Sequence, residues 1–438
     1  VTRANNINTI HANGYSNQYC YRRQTDMTAD KGVYILTICL LACIRSALTT
    51  LDTVWLTDVT AISQTDKRKL SATDLPKELE FHLRWGSETR TLHLRRNHNI
   101  NPHADFYFAR KVKDGKSVLV KSQNMETEDV AYYQDQNNGA FMTVRCVKVT
   151  NKQCDRMING NIRIGDSWYY LRPAGNDVKS RNLLEVPGHL DKLYVLQDQS
   201  ITQRETSAEW DGATNLTKEE VGKEFKALFQ RFQRQDKSWR QSKNEYDVKV
   251  AVLIDSGLWD FYSSMVNQSH ELVKRRKVME NIRESFSHIV NGVNQLYKGI
   301  EDNSISINII LADFIVFKNN AFPHKASKVV KVDNIKHIDA DKYLTDAKEW
   351  DKEYGVKNVP VFDFGMLFTR YKMFFDTPDD EGVHGHTFSS GVCQVGKRIA
   401  VIKAGGLFST VLLAAHELGH RLPLIRGGDL ICGCLEGV

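Results

Sequence analysis

The sequence predicts a chain of two parts: a β-rich domain over residues 60–200, then an α/β domain with a mixed, twisted sheet over residues 246–438. Three observations carry this. Residues 75–175 alternate apolar and polar side chains, as half-buried strands do. From residue 247 onward, apolar runs of strand length alternate with amphipathic helical stretches, the order of an α/β sheet. The length of 438 residues, 41% apolar and 26% charged with eight prolines, suffices for two or three domains that each bury a core. That composition excludes wholesale disorder, collagen and a multi-span membrane protein. Lys and Arg exceed Asp and Glu by only 59 to 53, a net charge of +6, which is too thin a surplus to argue for nucleic acid.

Residues 1–26 are polar and Asn-rich and read as a non-structural leader. Residues 27–47 read as a signal peptide: Met27, Lys31, the apolar run VYILTICLLACI (33–44), then the small residues Ser46 and Ala47. The bland alternative is a buried helix. The run is too short for a bilayer, which needs about 20 residues, and no later run reaches that length, so a secreted, extracellular protein without a membrane anchor is expected. In the β-rich domain, LEFHLRWG (79–86), RTLHLRRN (90–97), AFMTVRCVKV (140–149), NIRIGDSWYYLRP (161–173) and KLYVLQ (192–197) read as antiparallel strands. Residues 201–245 read as a polar linker with one helix over Lys218 to Arg234.

In the second part, VKVAVLID (248–255) and SISINIILADFIVF (304–317) read as central strands. Between them, residues 271–300 form a long helix whose apolar positions Val278, Ile282, Phe286, Ile289, Val293 and Leu296 recur three or four apart. The basic run Lys274–Lys277 falls within it and reads as a solvated face. A helix over Ala340–Tyr354 follows, then strands at 359–369 and 397–402. Gly405 and Gly406 break the chain, and a last helix opens with Ser409 as its cap.

The eight cysteines are Cys20, Cys39, Cys43, Cys146, Cys154, Cys393, Cys432 and Cys434. Without leader and signal, five remain, and an odd count in a secreted chain suggests a free thiol or a missing partner. Cys146 and Cys154 can pair with one another, and Cys432 or Cys434 with Cys393. Asn215 and Asn267 head glycosylation triplets.

The chemistry concentrates in HELGH: His416, Glu417 and His420. On a helix, positions i and i+4 share a face, so both imidazoles can hold one Zn2+. Glu417 projects beside them and can take a proton from a zinc-bound water. The alternative is two ordinary core or surface histidines.

With these residues in view, the chain from Val248 onward resembles the reprolysin-like (adamalysin) metzincin metalloproteases, which include the ADAM and ADAMTS proteases. The similar stretches are VKVAVLIDSGLWDFY, NIILADFIVF, FDFGMLFTRY, GVCQVGKRIAVI and GGLFSTVLLAAHELGH. Residues 75–175 resemble the family's prodomain. The resemblance implies a metzincin-like fold with an active-site helix, His416 and His420 as zinc ligands, and Glu417 as general base. It also implies a secreted zymogen that cleaves peptide bonds in extracellular proteins and peptides. A prodomain thiolate on the zinc would keep it latent, with Cys146 and Cys154 as the candidates.

The chain then departs from the family pattern HExxHxxGxxH. Pro423 stands at the glycine and Arg426 at the third histidine, and no methionine follows Met373. Proline cannot take the positive φ that glycine allows, and arginine cannot ligate zinc. The expectation is a protease domain truncated at its C-terminus and lacking its third ligand. His384 and His386 are weak candidates to replace it, as are the thiolates of Cys432 and Cys434. Two functions follow: a secreted zinc metalloendopeptidase, or a non-catalytic pseudo-protease whose prodomain binds or inhibits full-length relatives.

Overall fold

Alternation of apolar and polar residues closes most of the N-terminal strands into a barrel. The computed structural model describes residues 51–59, 75–111, 117–122, 130–150, 153–174, 191–199, 244–299, 305–318, 327–354, 361–378, 383–388 and 391–422. The leader, the signal segment, nearly all of the expected linker with its helix, and residues 423–438 lie outside these. Leu51–Val438 cluster as one unit.

Ten strands come first in the described chain: β1 (Leu51–Asp58), β2 (Glu78–Trp85), β3 (Glu88–Arg96), β4 (Phe106–Lys111), β5 (Ser117–Lys121), β6 (Val130–Asp135), β7 (Ala140–Thr150), β8 (Gln153–Ile164), β9 (Ser167–Pro173) and β10 (Asp191–Asp198). Eight of them close an antiparallel barrel in the order β1-β10-β9-β8-β7-β6-β3-β2. Leu79, Phe81 and Leu83 of β2 and Leu92 and Leu94 of β3 point inward, the period-2 pattern that fixes register. Cys146 of β7 and Cys154 of β8 are joined in a disulfide with Cα atoms 5.6 Å apart. The barrel opens with Leu51, before the first strand that alternation marks.

β4 and β5 leave the barrel. They complete a seven-stranded mixed sheet with β11 (Asn244–Ile254), β12 (Ile305–Val316), β15 (Phe364–Thr369), β17 (Gly385–His386) and β18 (Ile399–Lys403), in the order β17-β18-β15-β11-β12-β4-β5. β17 is antiparallel to β18, and the neighbours from β18 to β4 are parallel. β4 thus covers the outer edge of β12, where Phe106 stacks on Phe314 with ring centres 4.6 Å apart. A small sheet, β13 (Val330–Val332), β14 (Ile335–Asp339) and β16 (Lys372–Phe374), sits apart from it.

Helices cover both faces of the large sheet. On one side lie α1 (Ser256–Ser264), α2 (Glu271–Lys298) and α4 (Leu407–Arg421), packed on Val250, Val252 and Ile254; on the other lies α3 (Ala340–Tyr354), packed on Ala251 and Leu253. The alternation along β11 sends its side chains to two different cores. α1 is short, and its N-cap is Asp255, whose Oδ1 accepts from Leu258 N–H at 2.7 Å. Burial pushes the Asp255 carboxyl up to about 6. α3 is tied to the sheet by a buried pair, Arg398 to Asp351 at 2.9 Å, with Gly396 N–H donating to the same carboxylate at 2.6 Å.

α2 is buried on two sides. Val278, Ile282, Phe286, Ile289 and Val293 face the sheet as the spacing predicts, while Leu296 is half-buried. The opposite face carries His288, Asn291, Asn294 and Gln295 and meets the barrel. Asn97 Nδ2 donates to Asn291 Oδ1 (2.9 Å), Asn291 Nδ2 to the Tyr133 carbonyl (3.1 Å), and Gln295 Nε2 to the Asp135 carbonyl (3.2 Å). The basic run differs from a fully solvated face: Arg275 lies over the Phe108 ring of β4 at 4.1 Å, and Lys277 pairs with Glu280. At Gly292 a Cβ would lie 2.8 Å from both the Phe141 ring and Val411, so only glycine lets β7, α2 and α4 meet there.

Phe141 is fully buried and packs against Gly292, Phe408, Trp168 and His288. Phe141→Ala leaves a cavity where barrel and α/β half join. It should lower unfolding stability by about 3–5 kcal/mol, measured by urea denaturation followed through tryptophan fluorescence.

Candidate metal centre

α4 carries the HELGH residues. Its N-terminus differs from the expected serine cap: the cap residue is Gly406, with no side-chain cap bond, and Ser409 Oγ instead donates to the Gly406 carbonyl at 2.9 Å. Thr410 secures the turn, accepting from Gly405 N–H (3.1 Å) and donating to the Gly406 carbonyl (2.8 Å). Phe408, Val411, Ala414, Ala415 and Leu418 form the buried stripe. Tyr297, at the end of α2, donates to the Ala415 carbonyl at 2.9 Å and fixes α4 one residue before His416.

Beyond the stripe, His416 is half-buried, His420 is exposed and Glu417 is buried at 4% exposure. The imidazoles of His416 and His420 turn their Nε2 atoms toward each other at 2.8 Å, with ring planes at 88°. Two nitrogens on one tetrahedral zinc stand roughly 3.3 Å apart, given Zn–N bonds of about 2.0–2.1 Å. A small opening of the pair therefore fits a single ion. Burial, then repulsion from His420, lowers His416 to about 4, so it is neutral at neutral pH, the form that can ligate.

The pair fits two of the three protein ligands that catalytic zinc sites use. Among the described residues no group of three or more His, Cys, Asp or Glu side chains is placed to hold a metal. His386 is engaged elsewhere: its Nε2 meets Asp341 Oδ1 of α3 at 2.8 Å. His384 lies just before β17 and accepts Lys403 N–H on its carbonyl at 2.7 Å. Neither joins His416 and His420. Cys432, Cys434, Pro423 and Arg426 lie outside the described residues. Cys146 and Cys154 are bonded to one another, so neither presents a thiolate.

Sequence reasoning missed Gly385. It lies in β17, against α4, and a Cβ there would sit 2.2 Å from Glu417 Oε1 and 2.7 Å from Cδ. β17 therefore covers the Glu417 carboxylate so closely that any side chain at position 385 would have to displace it. The available signal was a glycine between two histidines in a short edge strand, and nothing in that pattern points to a helix thirty residues on.

Comparison with known proteins follows the same geometry. Residues 283–424, from α2 to the end of α4, match the model of the metallo-peptidase family M12B, reprolysin-like. That segment is similar in sequence to reprolysin-like metallopeptidases. The chain is 30% identical over 193 residues to venom metalloproteinase 2 of Eulophus pennicornis, covering 43% of this chain and 42% of that protein. It is 27% identical over 201 residues to venom metalloproteinase 3 of the same species, 43% of this chain and 41% of that protein. It is also 29% identical over 159 residues to a Bombyx mori protein described as a disintegrin and metalloproteinase with thrombospondin motifs like, covering 34% of this chain and 22% of that protein. The chain spans less than half the length of the curated relatives it matches.

Gly385→Ala should push the Glu417 carboxylate out from under β17 at a cost on the order of 1 kcal/mol, because the clash meets the flexible end of a side chain. Carbodiimide footprinting checks this: Glu417 is protected in the parent chain and becomes labelled in the variant, while the denaturation midpoint moves little.

Proposed function

We propose that this chain is a secreted, non-catalytic member of the reprolysin-like class, a pseudo-protease whose barrel acts as a prodomain and binds or inhibits full-length relatives. The observation that carries the reading is the ligand set: two converging imidazoles, followed in sequence by Pro423 and Arg426 at the positions where the family pattern has glycine and the third histidine. A guanidinium stays protonated and donates only, so Arg426 offers no lone pair and adds a positive charge to a site for a dication. Two neutral histidines hold zinc far less firmly than three. The barrel's contact with α2 and α4 is the surface through which a prodomain would act on a relative's protease domain.

The second reading, a zinc metalloendopeptidase zymogen acting on extracellular proteins, is favoured by one observation, the 2.8 Å approach of His416 and His420 with Glu417 next in sequence to His416. Zinc, when bound, supplies a water of lowered pKa and polarises the scissile carbonyl. Glu417 would accept the water's proton and pass it to the leaving amine, and β17 would have to withdraw from its carboxylate first.

Elemental analysis of the purified chain, together with cleavage of an unstructured protein substrate, separates the two. We expect well below one zinc per chain, no cleavage that differs between the parent and Glu417→Gln, and slowed hydrolysis when the chain is added to an active full-length relative. One firmly held zinc lost in His416→Ala and His420→Ala, with cleavage abolished by Glu417→Gln, establishes the endopeptidase instead.

A further inference from the structure

His288 lies in the middle of α2, on the face turned to the barrel, and is 4% exposed. It bridges two barrel strands. Nε2–H donates to Asn161 Oδ1 of β8 at 3.1 Å, and Nδ1 accepts from the Thr143 hydroxyl of β7 at 3.0 Å, the tautomer that satisfies both partners. The Phe141 ring of β7 lies 5.0 Å from the imidazole, and Tyr170 of β9 meets it edge-on at 6.4 Å. One neutral ring thus joins the α/β half to three consecutive barrel strands in a site closed to water.

The charged groups around this site do not compensate a positive imidazole. Glu284, one turn earlier on α2, is paired with Arg145 of β7. Tyr132 of β6 and Tyr170 of β9 are both held neutral by burial. From α4 come Phe408 and Val411, both apolar. A proton arriving on Nδ1 turns an acceptor into a second donor, so the Thr143 hydroxyl must reverse, and the charge stays in a desolvated seam.

We propose that the seat of the barrel on α2 is a pH-gated clamp, closed while His288 is neutral and loosened when it takes a proton. The inference concerns the barrel–α2 interface and holds whether or not α4 binds zinc. Burial alone drives His288 down to about 4, against an ordinary value near 6.5. When the seam opens, the ring returns to water and its ordinary value, so the open state binds more protons between those two values. The closed seat is fully favoured above about pH 6.5 and weakens as pH falls through the window toward 4. Between pH 7 and pH 5 the linkage amounts to roughly 20-fold in the open-to-closed ratio. The rest of the seam is suited to opening: Asn97, Gln134, Asn291, Asn294 and Gln295 trade hydrogen bonds with each other for hydrogen bonds with water.

The test is backbone amide exchange of the full chain, followed by mass spectrometry from pH 7.5 to 5 and corrected for the intrinsic rate. Peptides spanning residues 285–295 of α2 and 140–146 of β7 should lose protection roughly 20-fold more at pH 5 than at pH 7. His288→Gln, which keeps a hydrogen-bonding side chain without the titration, should flatten that dependence. The same loss of protection in His288→Gln overturns the proposal. Should the variant fail to fold, exchange of the imidazole C2 proton in the parent chain decides: a His288 midpoint near 4 supports the clamp, and one near 6.5 overturns it.

Discussion

The double burial of α2 is the constraint on which the rest of the structure depends. Its apolar stripe, from Val278 to Val293, lies against the sheet, and its opposite face lies against the barrel. A surface helix would fill that second face with charge. Here the centre of the face holds glycine, amides and one histidine, and each amide finds a backbone or side-chain partner on the barrel. Such bonds are directional, so they admit one placement of the barrel, whereas an apolar face would tolerate several. Gly292 sets the closeness, and Phe141 fills the space that the missing side chain leaves. α4 then takes its position from both neighbours, through Tyr297 on one side and Phe141 and Trp168 against Phe408 on the other.

α4 inherits its geometry from this arrangement. Helical spacing puts His416 and His420 on one face, but spacing alone does not decide how deep they sit. The buried stripe draws His416 half under the surface and leaves His420 exposed, which separates their environments although they are chemically identical. Glu417, one residue on from His416, points toward β17 and is covered. A residue serving as general base would need access to water and substrate, and the close approach of Gly385 withholds that access from Glu417 in this fold.

Much of this was legible in the sequence, and the failures have specific causes. The strands β11, β12, β15 and β18 announce themselves as apolar runs, and α2 through its periodicity, because burial against a layer imposes a pattern on the residues; α3 and α4 were also read, while the short strands β13, β14, β16 and β17 were not. α1 was missed because nine residues with one cap give too little period to read. The barrel strands β2, β3, β7 and β9 were visible as alternation. The VAYYQD of β6 was not, because β6 is buried on both faces where the barrel meets α2 and so has no polar side to alternate with. The departure of β4 and β5 from the barrel was hidden for a related reason: Phe106 and Phe108 alternate as they would in any sheet, and which sheet receives them is decided by the open edge of β12. At the candidate site, helix geometry converts the HELGH spacing into the proximity of His416 and His420. Gly385 could not be found that way, since its contact with Glu417 is set by how an edge strand crosses a helix.

The polar character of the seam also says what kind of joint it is. An apolar interface stripped of its partner exposes surface that water rejects, and the freed halves tend to aggregate. The α2 face exposes chiefly amides, a histidine and a glycine, which water accepts at little cost. The apolar part of the joint includes Phe141 with its neighbours, Tyr132, Ile100, Phe108 and the Phe106–Phe314 stack at the sheet edge. The amides and His288 on this face of the 28-residue helix supply orientation and remain compatible with water.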